Sequence, residues 1–174
     1  MTTGSVNLST LKWLWLSAAI VGLDQASKRL AIDDLEFQHA LPVLPGVNLT
    51  LVHNTGAAFS FLRDAGGWQR WFFIGLSATI GLVIVIWLVR LPAERRRLAC
   101  ALCLILGGAA GNLWDRINLG YVIDFVDVYV GTWHWPAFNV ADSAISLGAI
   151  ILIVDALWLD RAEVSVSSES HHRG

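Results

Sequence analysis

The chain has 174 residues, 55% of them hydrophobic and 15% charged, with a mean hydropathy of +0.58. That is too apolar for a water-soluble domain of this size and fits a small polytopic membrane protein. A formal net charge of −2 leaves no basic footprint for nucleic acid. The two cysteines, Cys100 and Cys103, lie in an apolar run, where thiols pack as small apolar groups rather than as a disulfide or metal pair.

In chain order, a first span is predicted over residues 13–32, interrupted by Asp24 and Lys28. No small-x-small cleavage site follows it, which predicts a retained span rather than a leader. The first outer loop, residues 33–70, holds Val47-Asn48-Leu49-Thr50-Leu51-Val52, where apolar and polar residues partly alternate after Pro42, Pro45 and Gly46. This reads as one or two strands on the membrane surface. A second span, 71–89, carries no charge, and a third, 98–114, contains the small residues Gly107, Gly108, Ala109, Ala110 and Gly111, which allow close helix approach in lipid. In the second outer loop, 115–139, the stretch 121–130 is β-prone. A strand there puts Asp124 on the face of Val122 and Val126 and turns Asp127 the other way. The fourth span, 140–159, follows Pro136 and a candidate N-cap, Asn139. The expected fold is an all-α membrane protein of four transmembrane helices with a small extracytoplasmic β region. Residues 1–164 form one membrane-embedded unit, and the polar tail 165–174 is read as disordered.

Arg90, Arg95, Arg96 and Arg97 place the connection between spans two and three in the cytoplasm, and an even number of spans then puts both termini there. Lys28, Arg29 and Arg70 run against this rule but are outweighed. The tryptophans fall near span ends, as an interfacial belt requires. Asp24, Asn54, Asn112, Asp115, Arg116, Asp124 and Asp142 are all driven to the outer side, while Asp155 stands alone near the inner end of span four.

An aspartate at membrane depth costs roughly 2.5–3.5 kcal/mol at a helix centre, so the pair Asp124 and Asp142 suggests a functional acid/base couple. Plainer roles compete. Asp142 at the third helical position after Asn139 fits a capping-box-like pair, and Asp124 fits an exposed loop carboxylate. Asp24 and Lys28 fit an i,i+4 ion pair, and Asn112, Asp115 and Arg116 fit a polar helix terminus. His39, His53 and His134 are scattered and no H-E-x-x-H occurs, so neither a metal centre nor a cofactor is expected. Ser27, Ser60 and Ser143 lack a G-x-S-x-G setting.

Four segments, taken together, carry a resemblance. They are Asp24-Gln25-Ala26-Ser27-Lys28, then Asn54-Thr55-Gly56-Ala57-Ala58-Phe59-Ser60, then Gly107-Gly108-Ala109-Ala110-Gly111-Asn112-Leu113-Trp114-Asp115-Arg116. The fourth is the pair Val122-Ile123-Asp124-Phe125 and Phe138-Asn139-Val140-Ala141-Asp142-Ser143. In this order over residues 13–159 the chain resembles the bacterial lipoprotein signal peptidases (signal peptidase II), intramembrane aspartyl proteases. The resemblance implies four spans in the bacterial cytoplasmic (inner) membrane, both termini inside, and an extracytoplasmic catalytic dyad falling on Asp124 and Asp142. It assigns Asn54, Asn112, Arg116 and Asn139 to the substrate site. Asp24 and Lys28 divide between a simple ion pair and support of that site, and Gly56-Ala57-Ala58 between close approach to substrate and a plain turn. The implied substrates are prolipoproteins bearing a diacylglyceryl-cysteine, cut on its amino side among membrane lipids, with an outer loop closing over them. Globomycin-like cyclic depsipeptides are the implied inhibitors.

Two other classes fit less well. A proton relay through Asp24, Asp124, Asp142 and Asp155 should cross the membrane, yet three of the four cluster outside. A non-catalytic interaction protein would use the small residues of span three but gives no reason for paired aspartates flanked by asparagines.

Overall fold

The computed structural model describes residues 8–56 and 67–171. Ala57, Ala58, Phe59 and Ser60 of the second motif, and with them the loop expected to close over a substrate, lie outside the described residues. After a 3-10 turn, Leu8–Trp13, come helices α1 (Leu14–Asp34), α2 (Trp68–Arg90), α3 (Arg96–Asn118) and α4 (Val140–His171). Among the described residues three helices are long and apolar enough to cross a membrane: α2, α3 and the Val140–Leu157 part of α4, with hydropathies of 2.6, 1.5 and 2.0. The first predicted span, α1, is not among them, because Asp24, Lys28, Arg29, Asp33 and Asp34 break its apolar run. Helix α4 also departs from expectation at its end. The polar stretch from 165 to 171, read as disordered, continues the helix. No glycine or proline interrupts residues 149–171, so nothing in the chain stops it.

Helix α3 is the centre of the bundle: 67% of its apolar window is buried, against 17% for α2 and for α4. The small residues make this possible. A Cβ on Gly107 would stand 2.9 Å from the Ser17 carbonyl oxygen of α1, and one on Gly148 would stand 2.7 Å from the Ala101 carbonyl oxygen. A Cβ on Gly108 would run into the Ala141 carbonyl oxygen and the Ile145 side chain. Gly108→Ala is therefore expected to force α3 and α4 apart and to cost about 1–3 kcal/mol. Gly75→Ala, where a Cβ meets nothing, serves as the control, and thermal unfolding of both variants in detergent is the measurement.

At the end where α2 turns into α3, Ile84, Leu88, Leu91, Leu98, Ala99, Leu102 and Cys103 form an apolar cluster. Cys103 is buried, Cys100 half-buried, and both are free thiols. Arg70, one of the three cations that run against the charge rule, has a local reason to be where it is. From the start of α2 its Nε donates to the Arg116 carbonyl and its Nη2 to the Ile117 carbonyl, both at 2.8 Å. It thus satisfies the last turn of α3.

The β-prone stretches form one antiparallel sheet in the order β1 (Leu41–Leu44), β2 (Val47–Asn54), β3 (Val122–Val130) and β4 (Trp133–His134). The first outer loop supplies a hairpin rather than a single strand. Pro42 lies inside β1, an edge position where its missing N–H is tolerated. Pairing of β2 with β3, with Val52 opposite Asp124 and Asn54 opposite Val122, joins the two outer loops. Leu51 and Ile123 seat the sheet on Ala31 of α1. Beyond β4 the chain runs back along β3, and Val126 and Phe138 exchange backbone hydrogen bonds of 2.9 and 3.0 Å before α4 begins.

Candidate functional site

The start of α4 is held by side chains. Asn139 Oδ1 accepts from the Asp142 N–H at 2.9 Å, and Asp142 Oδ2 accepts from the Asn139 N–H at 3.3 Å, a reciprocal cap of the capping-box kind. Asp24 Oδ1 accepts from the Ala141 N–H at 2.9 Å. The cap reading of Asp142 thus holds, but the cap does not use up its carboxylate. Asp142 Oδ1 accepts from the Asn112 side-chain amide at 2.8 Å.

Asp124 is not an exposed loop carboxylate; it is 1% exposed within β3. Its Oδ1 accepts from Asn139 Nδ2 at 2.7 Å and its Oδ2 from Asn54 Nδ2 at 2.9 Å. Asn139 therefore touches both aspartates, through its amide nitrogen and its amide oxygen. Burial and the neighbouring Asp142 charge push the Asp124 carboxyl up to about 7, against the opposing pull of the Asn54 hydrogen bond, the Lys28 charge and the Asn139 hydrogen bond.

Behind this pair lies a buried ionic cluster. Lys28 Nζ stands 2.8 Å from Asp24 Oδ2 and 2.8 Å from Asp115 Oδ2, and it donates to Asn112 Oδ1 at 2.9 Å. Asp24 and Lys28 are 0% and 2% exposed, so the i,i+4 pair is interior rather than a surface decoration. Gln25 Nε2 donates to Asp115 Oδ1 at 2.9 Å, and Asp115 Oδ2 accepts from the Ile123 N–H at 3.2 Å. Gly111 leaves room for this arrangement, since a Cβ there would stand 2.6 Å from Asp24 Oδ2. Sequence reasoning passed over Asp115 and Gln25 as site residues. The available signal was spacing: Asp115 follows Asn112 by three positions and so shares its helix face.

A cavity of about 470 Å³ opens beside these groups. Asn54, Gly56, Asn112, Arg116 and Asp142 line one side, and Trp135, Pro136, Ala137, Phe138 and Ile145 supply an apolar wall. Arg116 Nη2 donates to the Gly56 carbonyl at 3.1 Å while its guanidinium lies 4.9 Å from the centre of the Phe73 ring. Gly56 N–H in turn donates to Asn54 Oδ1 at 3.0 Å. Of the residues singled out from sequence, five line the cavity, Asp124 and Asn139 are hydrogen-bonded to the lining residues Asn54 and Asn112, and Lys28, paired with Asp24, reaches Asn112 as well.

The model of the signal peptidase (SPase) II family matches residues 16–158. The chain is 53% identical over 151 residues to the lipoprotein signal peptidase of Acinetobacter baumannii, spanning 87% of this chain and 86% of that one. This chain belongs to the signal peptidase II family. The peptidase is also 54% identical over 151 residues to the lipoprotein signal peptidase of Cupriavidus taiwanensis, covering 86% of this chain and 85% of that one. Its fold is similar to two bacterial membrane enzyme structures obtained by the in meso method. One, at 2.3 Å resolution, has a TM-score of 0.77 at 28% identity over 87% of this chain and 90% of that one. The other, at 1.9 Å, has a TM-score of 0.74 at 27% identity over 84% and 92%.

Asp155 and Asp127 of the peptidase stand outside the network. Asp155 lies 3.8 Å from Arg95 Nη2 at the opposite end of the bundle. Asp127 pairs with Asn48 and His134.

Proposed function

We propose that this chain is an intramembrane aspartyl endopeptidase that removes signal peptides from diacylglyceryl-modified prolipoproteins, cutting on the amino side of the lipidated cysteine. The observation that carries the reading is Asn139, whose one side chain binds both the Asp124 carboxylate and the backbone of Asp142, a residue that lines the cavity. Asp124 and Asp142 form the dyad. Two carboxyl groups held close in a low-dielectric pocket share one proton, because both cannot ionise cheaply. The ionised member takes a proton from water as that water attacks the scissile carbonyl. The protonated member hydrogen-bonds the carbonyl oxygen and then assists departure of the amine. The pair titrates as a unit, so base and acid are roles of the dyad rather than of either residue. Asn54, Gly56, Asn112 and Arg116 offer amide, carbonyl and guanidinium groups to the substrate backbone and the lipid esters. Asn139, Asp24 and Lys28 hold the dyad in place.

In this reading α1 is the fourth crossing, with Asp24 and Lys28 turned into the bundle, and residues 1–164 act as one membrane-embedded unit. The arginine-rich α2–α3 connection and both termini are cytoplasmic, and the sheet and cavity face outward in the bacterial inner membrane. A signal helix in the bilayer and an acylated cysteine anchored at its outer surface then present the scissile bond at the depth of the dyad. No metal enters this chemistry. Globomycin-like depsipeptides are expected to occupy the same cavity and to lose affinity when the dyad is mutated. The proton-relay alternative loses ground because Asp155 is paired with Arg95, away from the other three aspartates.

The test is cleavage of a diacylglyceryl-modified peptide by purified enzyme, read by mass of the products. Cleavage elsewhere than before the lipidated cysteine, or equal turnover of the unlipidated peptide, would sink the substrate assignment. The pH profile gives a further expectation. With the Asp124 carboxyl raised to about 7, the dyad keeps its shared proton below about pH 7 and loses it above, so kcat/KM falls on the alkaline side. Asn54→Ala removes a hydrogen bond that favours the ionised form, so the alkaline limb moves to higher pH while kcat/KM drops. Wild-type turnover with an unmoved limb would remove Asn54 from the site.

A further inference from the structure

One buried carboxylate has no part in the chemistry above. Asp127 is 8% exposed and lies three positions beyond Asp124 on β3, on the opposite side of the strand. From β2, its cross-strand neighbour Asn48 donates through Nδ2 to Asp127 Oδ2 at 2.9 Å. From β4, His134 Nδ1 lies 2.8 and 3.0 Å from the two carboxylate oxygens. The His134 ring also stacks on Tyr129 with centroids 5.2 Å apart.

What hangs on this cluster is a short strap. Strand β4 has two residues, too few to hold a strand pairing unaided. From it the chain runs through 135–138 back to α4, tied to β3 by Trp135 N–H to the Val128 carbonyl at 2.8 Å and by the Val126–Phe138 pair. Pro136 brings no donor of its own. Yet Trp135, Pro136, Ala137 and Phe138 supply most of the apolar wall of the cavity, beside Ile145.

We propose that the Asp127–His134 pair, braced by Asn48, is a clasp that positions this strap and so sets the apolar wall against which the substrate's apolar segment rests. The inference rests on the peptidase reading of the cavity. Asp127 and His134 are positioning residues: they act on binding through the strap and touch neither dyad nor scissile bond. Asn139, immediately after the strap, is separately tied to Asp124 and to the Ile123 carbonyl at 3.1 Å and is locked into the α4 cap. Loosening the clasp therefore moves the wall and leaves the dyad in place, so KM rather than kcat responds.

The experiment uses full-length enzyme in detergent and a diacylglyceryl-modified peptide, with His134→Ala, Asp127→Ala, the double variant and His134→Gln. Gln keeps a donor able to reach Asp127. Loss of one charge-assisted hydrogen bond at a partly exposed pair is expected to raise KM about three- to tenfold in each Ala variant, with kcat within about twofold. The double variant should be no worse than either single change, and His134→Gln should return KM towards wild type. In the substrate-free protein, hydrogen exchange at the Trp135 and Phe138 amides should quicken in His134→Ala and recover in His134→Gln. Unchanged KM and exchange, or a fall in kcat at constant KM, would overturn the clasp. Should wild-type enzyme not cleave, the peptidase reading falls instead, while the exchange rates still decide whether the clasp holds the strap.

Discussion

Asp124→Asn and Asp142→Asn are each expected to lower cleavage of a lipidated prolipoprotein by about 10²–10⁴-fold or more, the range supplied by a positioned acid or base. An amide neither accepts a proton from water at neutral pH nor shares one with a partner carboxylate, so either substitution removes the acid/base function of the pair. Both variants should stay folded in the membrane. In Asp142→Asn the amide oxygen can still complete the cap with the Asn139 N–H, a local contact 3.3 Å long in the wild type. For Asp124→Asn the pH dependence of stability supplies an independent check. The wild-type carboxyl is raised from 3.8 to about 7 in the folded protein, so folding disfavours its charge. That penalty is absent below the unfolded value, develops as pH rises between the two, and is complete above about 7. The melting temperature of Asp124→Asn relative to wild type should therefore climb between about pH 4 and about pH 7 and level off above that. Substantial activity in either variant would remove the dyad, and a flat stability difference would mean that Asp124 is not the raised carboxyl.

Lys28→Met should have the largest effect on stability. The ammonium lies 2.8 Å from each of two buried carboxylates, Asp24 and Asp115, and its removal leaves them facing one another without a counter-charge. Breaking a buried ion pair in this way costs about 3–5 kcal/mol, a large share of the 5–15 kcal/mol typical of a folded domain. Little folded protein is expected, and what remains should turn over slowly, because Lys28 also holds Asn112, which donates to Asp142. Adding Asp115→Asn to Lys28→Met removes one orphan charge and should recover part of the melting temperature. A Lys28→Met protein that melts with the wild type would show that the cluster is not the keystone the distances describe.

The parts of this protein legible in the sequence are those decided by near neighbours. A charge-free apolar run is long enough for only one structure in lipid, and α2 matches its prediction to within three residues at either end. Partial alternation over residues 47–52 and the β-branched and aromatic content of 121–130 marked two strands, because both signals are carried by the strand's own residues. The Asn139–Asp142 cap was readable for the same reason, being an i,i+3 contact at a helix start. Residues 57–60 of the second motif lie outside the described structure, so there the sequence stands alone.

Tertiary structure decided what those same residues do. Asp24 and Lys28 at i,i+4 make an equally good ion pair in water or in the interior; the approach of α3, permitted by Gly107 and Gly111, buries them and adds Asp115. Asn54 and Asp124 are 70 positions apart, and only the β2–β3 register sets them 2.9 Å from each other. Asp127 became a partner of His134, and Arg70 a cap for α3, through packing that spacing along the chain does not encode. Local sequence set which segments are helix or strand, because those hydrogen bonds close within a turn or repeat every second residue. The site itself required distant segments to meet, and that depended on which small residues let one helix lie against another.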